Sequence, residues 1–373
     1  YKRQVFLLCG SFAHAQQKPL PQPPIIGAKS YVLIDGNTGA TLASLKPDER
    51  LAPASLTKLM TAYAVFHALA DNQIALGDQV TVSEKAWRTQ GSRMFIEVGT
   101  QVSVEELILG MIVQSGNDAS VALAEHVAGT ETVFAQLMNQ YAAQLGMSGS
   151  SFRNSSGMPD QDHYTTARDM ATLARAIINE FPQYYRWYSV KEYEYNGIKQ
   201  PNRNSLLWRD ESVDGMKTGR TDEAGYCLVS SAQRDDMRVI SVVLGTSSAK
   251  TRIDGSQALL NYGFRFFETR LLYRAGETVA TARIWKAEKE LTPLGLPEDL
   301  YVTIPRGSFD DVESILNMPA TLLAPVAAGQ PLAELQVSLN GDELLNTPLR
   351  ALEENPDGSL WQRTRDEVKL WFE

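Results

Sequence analysis

Three short motifs in a fixed order constrain this chain more than any other feature. Ser55–Lys58 reads S-L-T-K, Ser115–Asn117 reads S-G-N and Lys217–Gly219 reads K-T-G. Together they supply a hydroxyl with an amine one helical turn away, a second hydroxyl with a carboxamide, and a cation beside a third hydroxyl. Such groups act on one substrate only when they share a site, so the fold must bring these distant segments together. A second S-x-x-K copy, Ser247–Lys250, follows the K-T-G in a polar stretch and is set aside.

The first motif is predicted at the start of a helix. An apolar stripe at i, i+3 and i+4 spacing runs from Leu56 to Leu69, and Pro53 precedes it. Lys58 then lies on the same helix face as Ser55. A serine hydroxyl is a weak nucleophile until a neighbour takes its proton, and lysine can do so only when burial or nearby cations keep it neutral. The alternative is a helix-capping serine with a solvated lysine.

The second motif lies in the break between two predicted helices. Apolar spacing predicts one helix over Val104–Val113 and another over Asp118–Ala128. In this break Ser115 could pass a proton between Lys58 and a leaving group, and Asn117 could donate to a substrate carbonyl. A plain interhelical turn would also suit these residue types.

The third motif lies in a predicted strand. Val213–Gly219 precedes two β-branched runs, Tyr226–Ser231 and Val239–Leu244, with a polar turn between them. A substrate peptide could add to the edge of such a strand through main-chain hydrogen bonds, with its carboxylate near Lys217 and Thr218. The glycine would let the substrate approach the backbone. A strand-entry turn is the alternative.

The ordered trio resembles the signature of penicillin-binding proteins and class A β-lactamases. The similarity to the low-molecular-mass D-alanyl-D-alanine carboxypeptidases extends through Pro201–Trp208, Val213–Gly219 and Gly263–Thr269. It implies a β-lactamase/transpeptidase-like fold, with a serine acyl-enzyme that releases the terminal D-alanine of peptidoglycan pentapeptides and is acylated by β-lactams.

The resemblance also implies roles for individual residues. Ser55 would be the nucleophile, Lys58 its base, and Ser115 and Asn117 the second wall of the site. Substrate would be bound by Lys217, Thr218, Gly219, Arg220, Arg203 and Arg252. The oxyanion hole would use the backbone N–H of Ser55 and one near Arg220. Many relatives carry histidine at the position of Arg220, so a different pH dependence is expected. All three arginines could instead be solvated surface residues.

Several rival chemistries find no support in the chain. A class A β-lactamase needs a glutamate in an E-x-x-L-N loop between the last two motifs; Glu313–Asn317 fits these letters but follows the K-T-G by about a hundred residues. The loop Asn154–Tyr164 has no glutamate, so slow drug release is expected. A D,D-endopeptidase and a non-catalytic wall-binding scaffold remain alternatives. No metal, cofactor or nucleic-acid motif is present, and the net charge of −9 argues against nucleic acid. His163 could contact substrate or the deacylating water, but it is interpreted as loop surface.

Composition and spacing divide the chain into five segments. Residues 1–15 are predicted as a secretory signal remnant, 16–27 as a Pro-rich linker, and 28–272 as the peptidase domain. Residues 273–356 are predicted as a small β-domain with strands at Val279–Trp285, Leu300–Ile304, Ala320–Ala324 and Leu335–Val337. The predicted class is α+β: an antiparallel sheet with packed helices and a helical subdomain, then the β-domain.

The last segment, 357–373, is predicted as an amphipathic helix. Leu360, Trp361, Val368, Trp371 and Phe372 share one face. The stretch from Leu360 is too short to span a bilayer, which needs about 20 apolar residues, so it would lie in the interface. With the signal remnant, this predicts a periplasmic enzyme attached to the outer face of the inner membrane. Packing against the β-domain is the alternative.

Overall fold

The structure is a computed structural model that describes residues 20–371. The predicted signal remnant and Phe372 lie outside the described residues. The elements up to residue 266 are β1 (Ser30–Asp35), β2 (Thr41–Leu45), α1 (Thr57–Ala70), β3 (Gln79–Thr81), α2 (Glu84–Arg88), β4 (Gln101–Ser103), α3 (Val104–Val113), α4 (Asn117–Ala128), α5 (Glu131–Gln144), α6 (Ala167–Glu180), α7 (Pro182–Tyr185), β5 (Glu192–Tyr195), β6 (Ile198–Pro201), α8 (Leu206–Arg209), β7 (Val213–Thr221), β8 (Gly225–Arg234), β9 (Met237–Thr246) and α9 (Ala249–Phe266).

The central sheet is antiparallel with the order β2-β1-β9-β8-β7. Successive side chains of a strand point to opposite faces of the sheet, so each strand contributes residues to two cores. Val32 and Ile34 of β1 join the core shared with the helical region. Tyr31 and Leu33 join the core on the other side, beneath α9. Helices therefore cover both faces, while β7 remains at an edge of the sheet.

Helix α1 is the central element of the helical region. The sequence predicts one apolar stripe, but 12 of its 14 residues are buried. Small residues such as Ala62 and Ala64 make this possible, because they let neighbouring elements approach the remaining faces. The helix that carries Lys58 is therefore enclosed by the protein.

The apolar pattern after the central strands predicts a helix over Ser256–Arg270, but the observed helix has different bounds. Helix α9 begins at Ala249, with the Ser248 side chain accepting a hydrogen bond from the Thr251 N–H at 3.0 Å. This serine belongs to the second S-x-x-K copy, whose lysine is solvent-exposed. The chain then becomes extended at Phe267 and forms a strand, because its aromatic and β-branched residues pair with a later segment.

The C-terminal part is all-β except for a short 3₁₀ turn at Phe309–Asp311 and its last helix. It contains β10 (Phe267–Tyr273), β11 (Ala280–Arg283), β12 (Leu291–Gly295), β13 (Leu300–Pro305), β14 (Val312–Asn317), β15 (Pro331–Leu339), β16 (Asp342–Ala351) and α10 (Leu360–Leu370). Strands β10 and β13 form a separate ribbon, and the other five form a sheet in the order β11-β12-β16-β15-β14. The predicted α+β class with a following β-domain is confirmed.

Some of the predicted C-terminal strands differ from those observed. Residues 320–324 are not a strand; Leu323 makes only an isolated bridge with Trp285. Strand β13 pairs with β10, and the predicted boundary at residue 272 falls inside β10. The Thr269 hydroxyl donates to the buried carboxylate of Asp35 in β1 at 2.6 Å, which fixes this ribbon to the central sheet. Glu313–Asn317 lies in β14, away from the three motifs.

Candidate active site

The three motifs meet at one cleft of about 600 Å³ between the helical region and β7. Its lining includes Ser55, Ser115, Asn117, Thr218 and Gly219. The two lysines of the motifs are buried in the same region, with Lys58 1% and Lys217 2% exposed. The solvated-lysine interpretation of the first motif is therefore wrong.

Ser55 is held in a tightly packed turn. It lies in the 3₁₀ turn Ala54–Leu56 directly before α1. Ala54 has a φ of 48°, which is a strained conformation for a residue with a side chain. Two glycines allow the surrounding backbone to enclose this turn: a Cβ on Gly157 would lie 1.8 Å from the Ala54 carbonyl oxygen, and one on Gly219 would lie 2.9 Å from that of Pro53. The packing thus fixes the serine at the cleft.

Gly219 also has a structural role that was not predicted. Its missing side chain makes room for the turn that carries Ser55, since the nearest atoms to an added Cβ belong to Pro53, Ala54 and Leu56. The K-T-G strand and the S-x-x-K turn are therefore locked to each other at this position.

The Lys58 amine has three polar neighbours. Its Nζ lies 3.1 Å from Ser55 Oγ, 2.7 Å from Asn117 Oδ1 and 2.5 Å from the Ser156 carbonyl oxygen. The last two atoms only accept hydrogen bonds. A neutral amine has two N–H groups for these acceptors and one lone pair for the Ser55 hydroxyl. The geometry therefore satisfies a neutral lysine and directs its lone pair toward the serine proton.

Burial lowers the pKa of Lys58 to about 7. The nearby Asp118 carboxylate opposes this shift, while Arg203 adds to it. Near neutral pH a large fraction of the amine is thus uncharged and able to accept a proton.

The second motif forms a strained bend between α3 and α4. Ser115 has a φ of 66°. Asn117 is held at both ends, because its N–H donates to the Ser92 carbonyl at 2.7 Å and its Nδ2 donates to that of Gln90 at 2.6 Å. Asn117 therefore serves first to orient Lys58 through its amide oxygen. The predicted donation to substrate is left to its second amide N–H, which faces Met158 Sδ at 3.6 Å.

Asp118 supports this bend from within the core. Its carboxylate accepts from the N–H groups of Met94 at 3.0 Å, Phe95 at 2.9 Å and Ile96 at 3.3 Å. These bonds attach the segment that forms one side of the cleft to the start of α4. The sequence analysis did not identify this role, although an acidic residue directly after an S-G-N bend is a signal for a helix N-terminus.

Strand β7 forms the opposite wall. Because it is at an edge of the sheet, the side away from β8 has no strand partner among the described residues. Where Thr218–Thr221 of β7 line the cleft, the main-chain groups on this side can pair with an extended peptide. Burial holds the pKa of Lys217 well below its usual range, and Lys58, Arg203 and Arg252 lower it further. A bound carboxylate would raise it again and so restore the charge that binds the carboxylate.

Three arginines line the cleft, and no acidic side chain of residues 20–371 does. Arg203 donates from Nε to the Gln114 carbonyl at 3.2 Å. Arg252 is buried, and its guanidinium lies 6.0 Å from the centre of the Tyr226 ring. Arg220, like Arg203, is exposed, and it contacts Asp222 at 3.4 Å. The cleft is therefore electropositive and suits an anionic substrate, and the surface interpretation of Arg252 is wrong.

The loop after α5 closes the remaining side of the cleft. Ser156, Gly157 and Met158 line it, although none was predicted as a site residue. Pattern analysis had little chance of finding Ser156, because it contributes a main-chain carbonyl.

His163 lies at the far end of this loop, and its interpretation as loop surface is wrong. It is 4% exposed. The Arg153 N–H donates to its Nδ1 at 3.3 Å, so Nε2 carries the proton and donates to Thr57 Oγ1 at 2.8 Å. The histidine therefore braces the residue beside Lys58.

Two known protein families match the two parts of this architecture. The family described as D-alanyl-D-alanine carboxypeptidase matches residues 16–248, and the family described as penicillin-binding protein 5, C-terminal domain, matches residues 267–356. The chain is 43% identical over 359 residues to the D-alanyl-D-alanine carboxypeptidase DacC of Escherichia coli, covering 94% of this chain and 90% of that protein.

Solved structures give the same result. Penicillin-binding protein 5 from Haemophilus influenzae superimposes with a TM-score of 0.87 at 42% identity, covering 90% of this chain and all of that one (100%). Penicillin-binding protein D2 from Listeria monocytogenes, in an ampicillin-bound form, has a TM-score of 0.60 at 30% identity over 64% of this chain and 98% of that one. Fold and motifs define a serine-type peptidase. The chain belongs to the D-alanyl-D-alanine carboxypeptidase family.

Proposed function

We propose that this protein removes the terminal D-alanine from peptidoglycan pentapeptide stems through an acyl-enzyme on Ser55. The observation that carries the proposal is the buried Lys58 amine, which contacts Ser55 Oγ at 3.1 Å while its other two contacts are acceptors. The electropositive cleft and the open edge of β7 support a substrate that is an extended peptide ending in a carboxylate. The family membership supports the choice of D-alanyl-D-alanine.

Acylation then follows from the geometry. Neutral Lys58 accepts the hydroxyl proton as Ser55 Oγ attacks the carbonyl carbon between the two D-alanines. The N–H groups of Ser55 and Arg220 would stabilise the oxyanion. As the C–N bond breaks, Ser115 passes a proton to the leaving amine and is reprotonated by the Lys58 ammonium. Water then attacks the ester, which releases the shortened peptide and restores the Ser55 hydroxyl.

β-Lactams would acylate the same serine, because they offer a strained amide and a carboxylate to the same groups. The loop that borders the cleft supplies Ser156, Gly157 and Met158 and no glutamate. A class A β-lactamase uses a glutamate there to activate the deacylating water. We therefore infer slow release of the drug and little β-lactamase activity.

Two measurements test the proposed function. Labelled penicillin should be retained by the wild-type protein and not by Ser55→Ala, and label on the variant would refute the role of Ser55. Mass spectrometry of a pentapeptide after incubation should show loss of one D-alanine. Cleavage of a cross-linked dimer would indicate an endopeptidase, and an unchanged peptide with no penicillin binding would indicate a scaffold.

We further propose that α10 attaches the enzyme to the outer face of the inner membrane. The Asp366 carboxylate, on the polar side of the helix, accepts from the Lys286 N–H at 2.9 Å and is buried. The apolar side faces outward, with Leu360, Trp361 and Trp371 at 81%, 72% and 83% exposure. No helix within residues 20–371 is long and apolar enough to cross a bilayer. An interfacial helix is consistent with these facts.

Liposome binding tests this attachment. Replacing Leu360, Trp361 and Val368 by serine should abolish sedimentation with vesicles and leave penicillin binding unchanged, because these side chains make no part of the cleft. Replacing exposed Arg363 by serine is a control on the same helix. Undiminished sedimentation of the triple variant would refute the proposal.

A further inference from the structure

A carboxylate on α5 clamps the loop that contacts the Lys58 amine. Glu131 Oε1 accepts from the Ser155 N–H at 3.0 Å and from the Ser155 hydroxyl at 2.7 Å. Its other oxygen pairs with Lys85 on α2 at 2.8 Å. Ser155 is completely buried, at 0% exposure, so both of its donors depend on this partner.

The clamped segment reaches α1 through two consecutive carbonyls. The Ser155 carbonyl accepts from the Thr61 hydroxyl at 2.6 Å, and the Ser156 carbonyl accepts from Lys58 Nζ at 2.5 Å. The side chain of Asn154 holds the other end of the bend by accepting from the Gly157 N–H at 2.7 Å. Hydrogen bonds at Ser155 and Ser156, which are neighbours in the chain, therefore connect Glu131 to the Lys58 amine.

We propose that Glu131 is a positioning residue for Lys58: by fixing Ser155, it keeps the Ser156 carbonyl on the amine and keeps water away from it. The inference deepens the proposed function and rests on it, since the step affected is acylation of Ser55. Glu131 itself does not line the cleft.

The direction of the effect follows from the groups around Lys58. Asp118 on α4 raises its pKa, and Arg203, in the loop after β6, lowers it. Lys217 on β7 and His163 on the loop also face it. Burial is the largest cause of the lowered pKa. Loosening the loop admits water to the amine, so the pKa of Lys58 rises and less neutral base is present at pH 7.

The test compares the wild-type protein with Glu131→Ala, Glu131→Gln and Lys85→Met. The rate of acylation by labelled penicillin is measured between pH 5 and 9 and divided by the concentration of active sites. For Glu131→Ala we expect the midpoint of the acid limb to move up by about one pH unit, with a rate at pH 7 lower by about fivefold, because the wild-type midpoint is about 7. Glu131→Gln should restore the wild-type profile, because its amide oxygen can accept both Ser155 bonds. Lys85→Met should also match the wild type, since it removes only the outer ion pair.

Each outcome of this test either supports or overturns the proposal. A normal midpoint and rate per active site in Glu131→Ala would overturn it, as would a Glu131→Gln profile like that of Glu131→Ala. If Glu131→Ala does not fold, Ser155→Ala removes one of the two bonds and should shift the midpoint in the same direction by a smaller amount; no shift would overturn the proposal. Failure of the wild-type protein to bind penicillin would instead refute the proposed function.

Discussion

The Lys58 amine nitrogen lies 2.7 Å from the amide oxygen of Asn117, and the amide nitrogen of Asn117 is held by the Gln90 carbonyl at 2.6 Å. The neutral amide is therefore locked with its oxygen toward the Lys58 amine. This orientation stabilises the amine without adding a negative charge beside it, and so does not oppose the neutral form that general-base catalysis requires.

Asn117→Asp should shift the pH dependence of acylation. A carboxylate at this distance favours the ammonium, so the pKa of Lys58 rises above the wild-type value of about 7. We expect the wild-type rate to increase with pH through about 7. The variant should lose about tenfold or more at pH 7 and recover part of the loss at pH 9. Stopped-flow acylation with labelled penicillin measures both, and an unmoved midpoint would contradict this account of Lys58.

Gly157→Ala should prevent formation of the Ala54–Leu56 turn that carries Ser55. The residue has a φ of 85°, and the added Cβ would lie 1.8 Å from the Ala54 carbonyl oxygen. Gly146→Ala is the matched control, because its φ is 73° and no atom lies within 4 Å of the built Cβ. The control should lose about 1–2 kcal/mol from backbone strain alone and keep penicillin binding. Gly157→Ala should be more destabilised and bind no penicillin, as seen by urea unfolding and labelling.

Arg252→Ala should weaken the binding of substrates that end in a carboxylate. Loss of one charged hydrogen bond costs about 1.5–3 kcal/mol, so kcat/KM should fall roughly 10- to 100-fold, mainly through KM. Arg209→Ala is the control, since Arg209 pairs with Asp254 at 2.6 Å and does not line the cleft. Steady-state kinetics with the peptide acid and its C-terminal amide provide the check. Equal losses for both substrates would contradict carboxylate binding by Arg252.

His163 should make the protein sensitive to acid. Burial lowers its pKa to about 4, whereas the unfolded chain has the ordinary value of about 6.5. Between these values the unfolded state binds more protons, so the free energy of unfolding falls as the pH decreases from 6.5 to 4, by up to about 3 kcal/mol. His163→Gln should be less stable at pH 7 and less pH-dependent in that range. Urea unfolding at pH 7 and 4.5 tests this, and an equal pH dependence in both proteins would refute it.

The sequence allowed the convergence of the three motifs to be expected, because each motif combines a reactive side chain with a recognisable local structure. The bounds of α3 are as predicted, since a capping serine at Ser103 precedes a clear apolar period. Three features could not be foreseen in this way. The Ser156 contribution is a main-chain carbonyl, the burial of His163 depends on how a loop folds back, and the role of Gly219 depends on the turn packed against it. All three arise from tertiary contacts between distant segments.

The open edge of β7 also determines what the enzyme can distinguish. A strand edge recognises a partner through amide and carbonyl groups that every peptide carries. It therefore selects an extended backbone that runs in the right direction, and it discriminates little between side chains. On the proposed function, selectivity comes from the end of the substrate, where the three arginines that line the cleft would bind a free carboxylate. A bacterium could alter the middle residues of its wall peptides and still rely on this enzyme, provided that the chain terminus stayed the same.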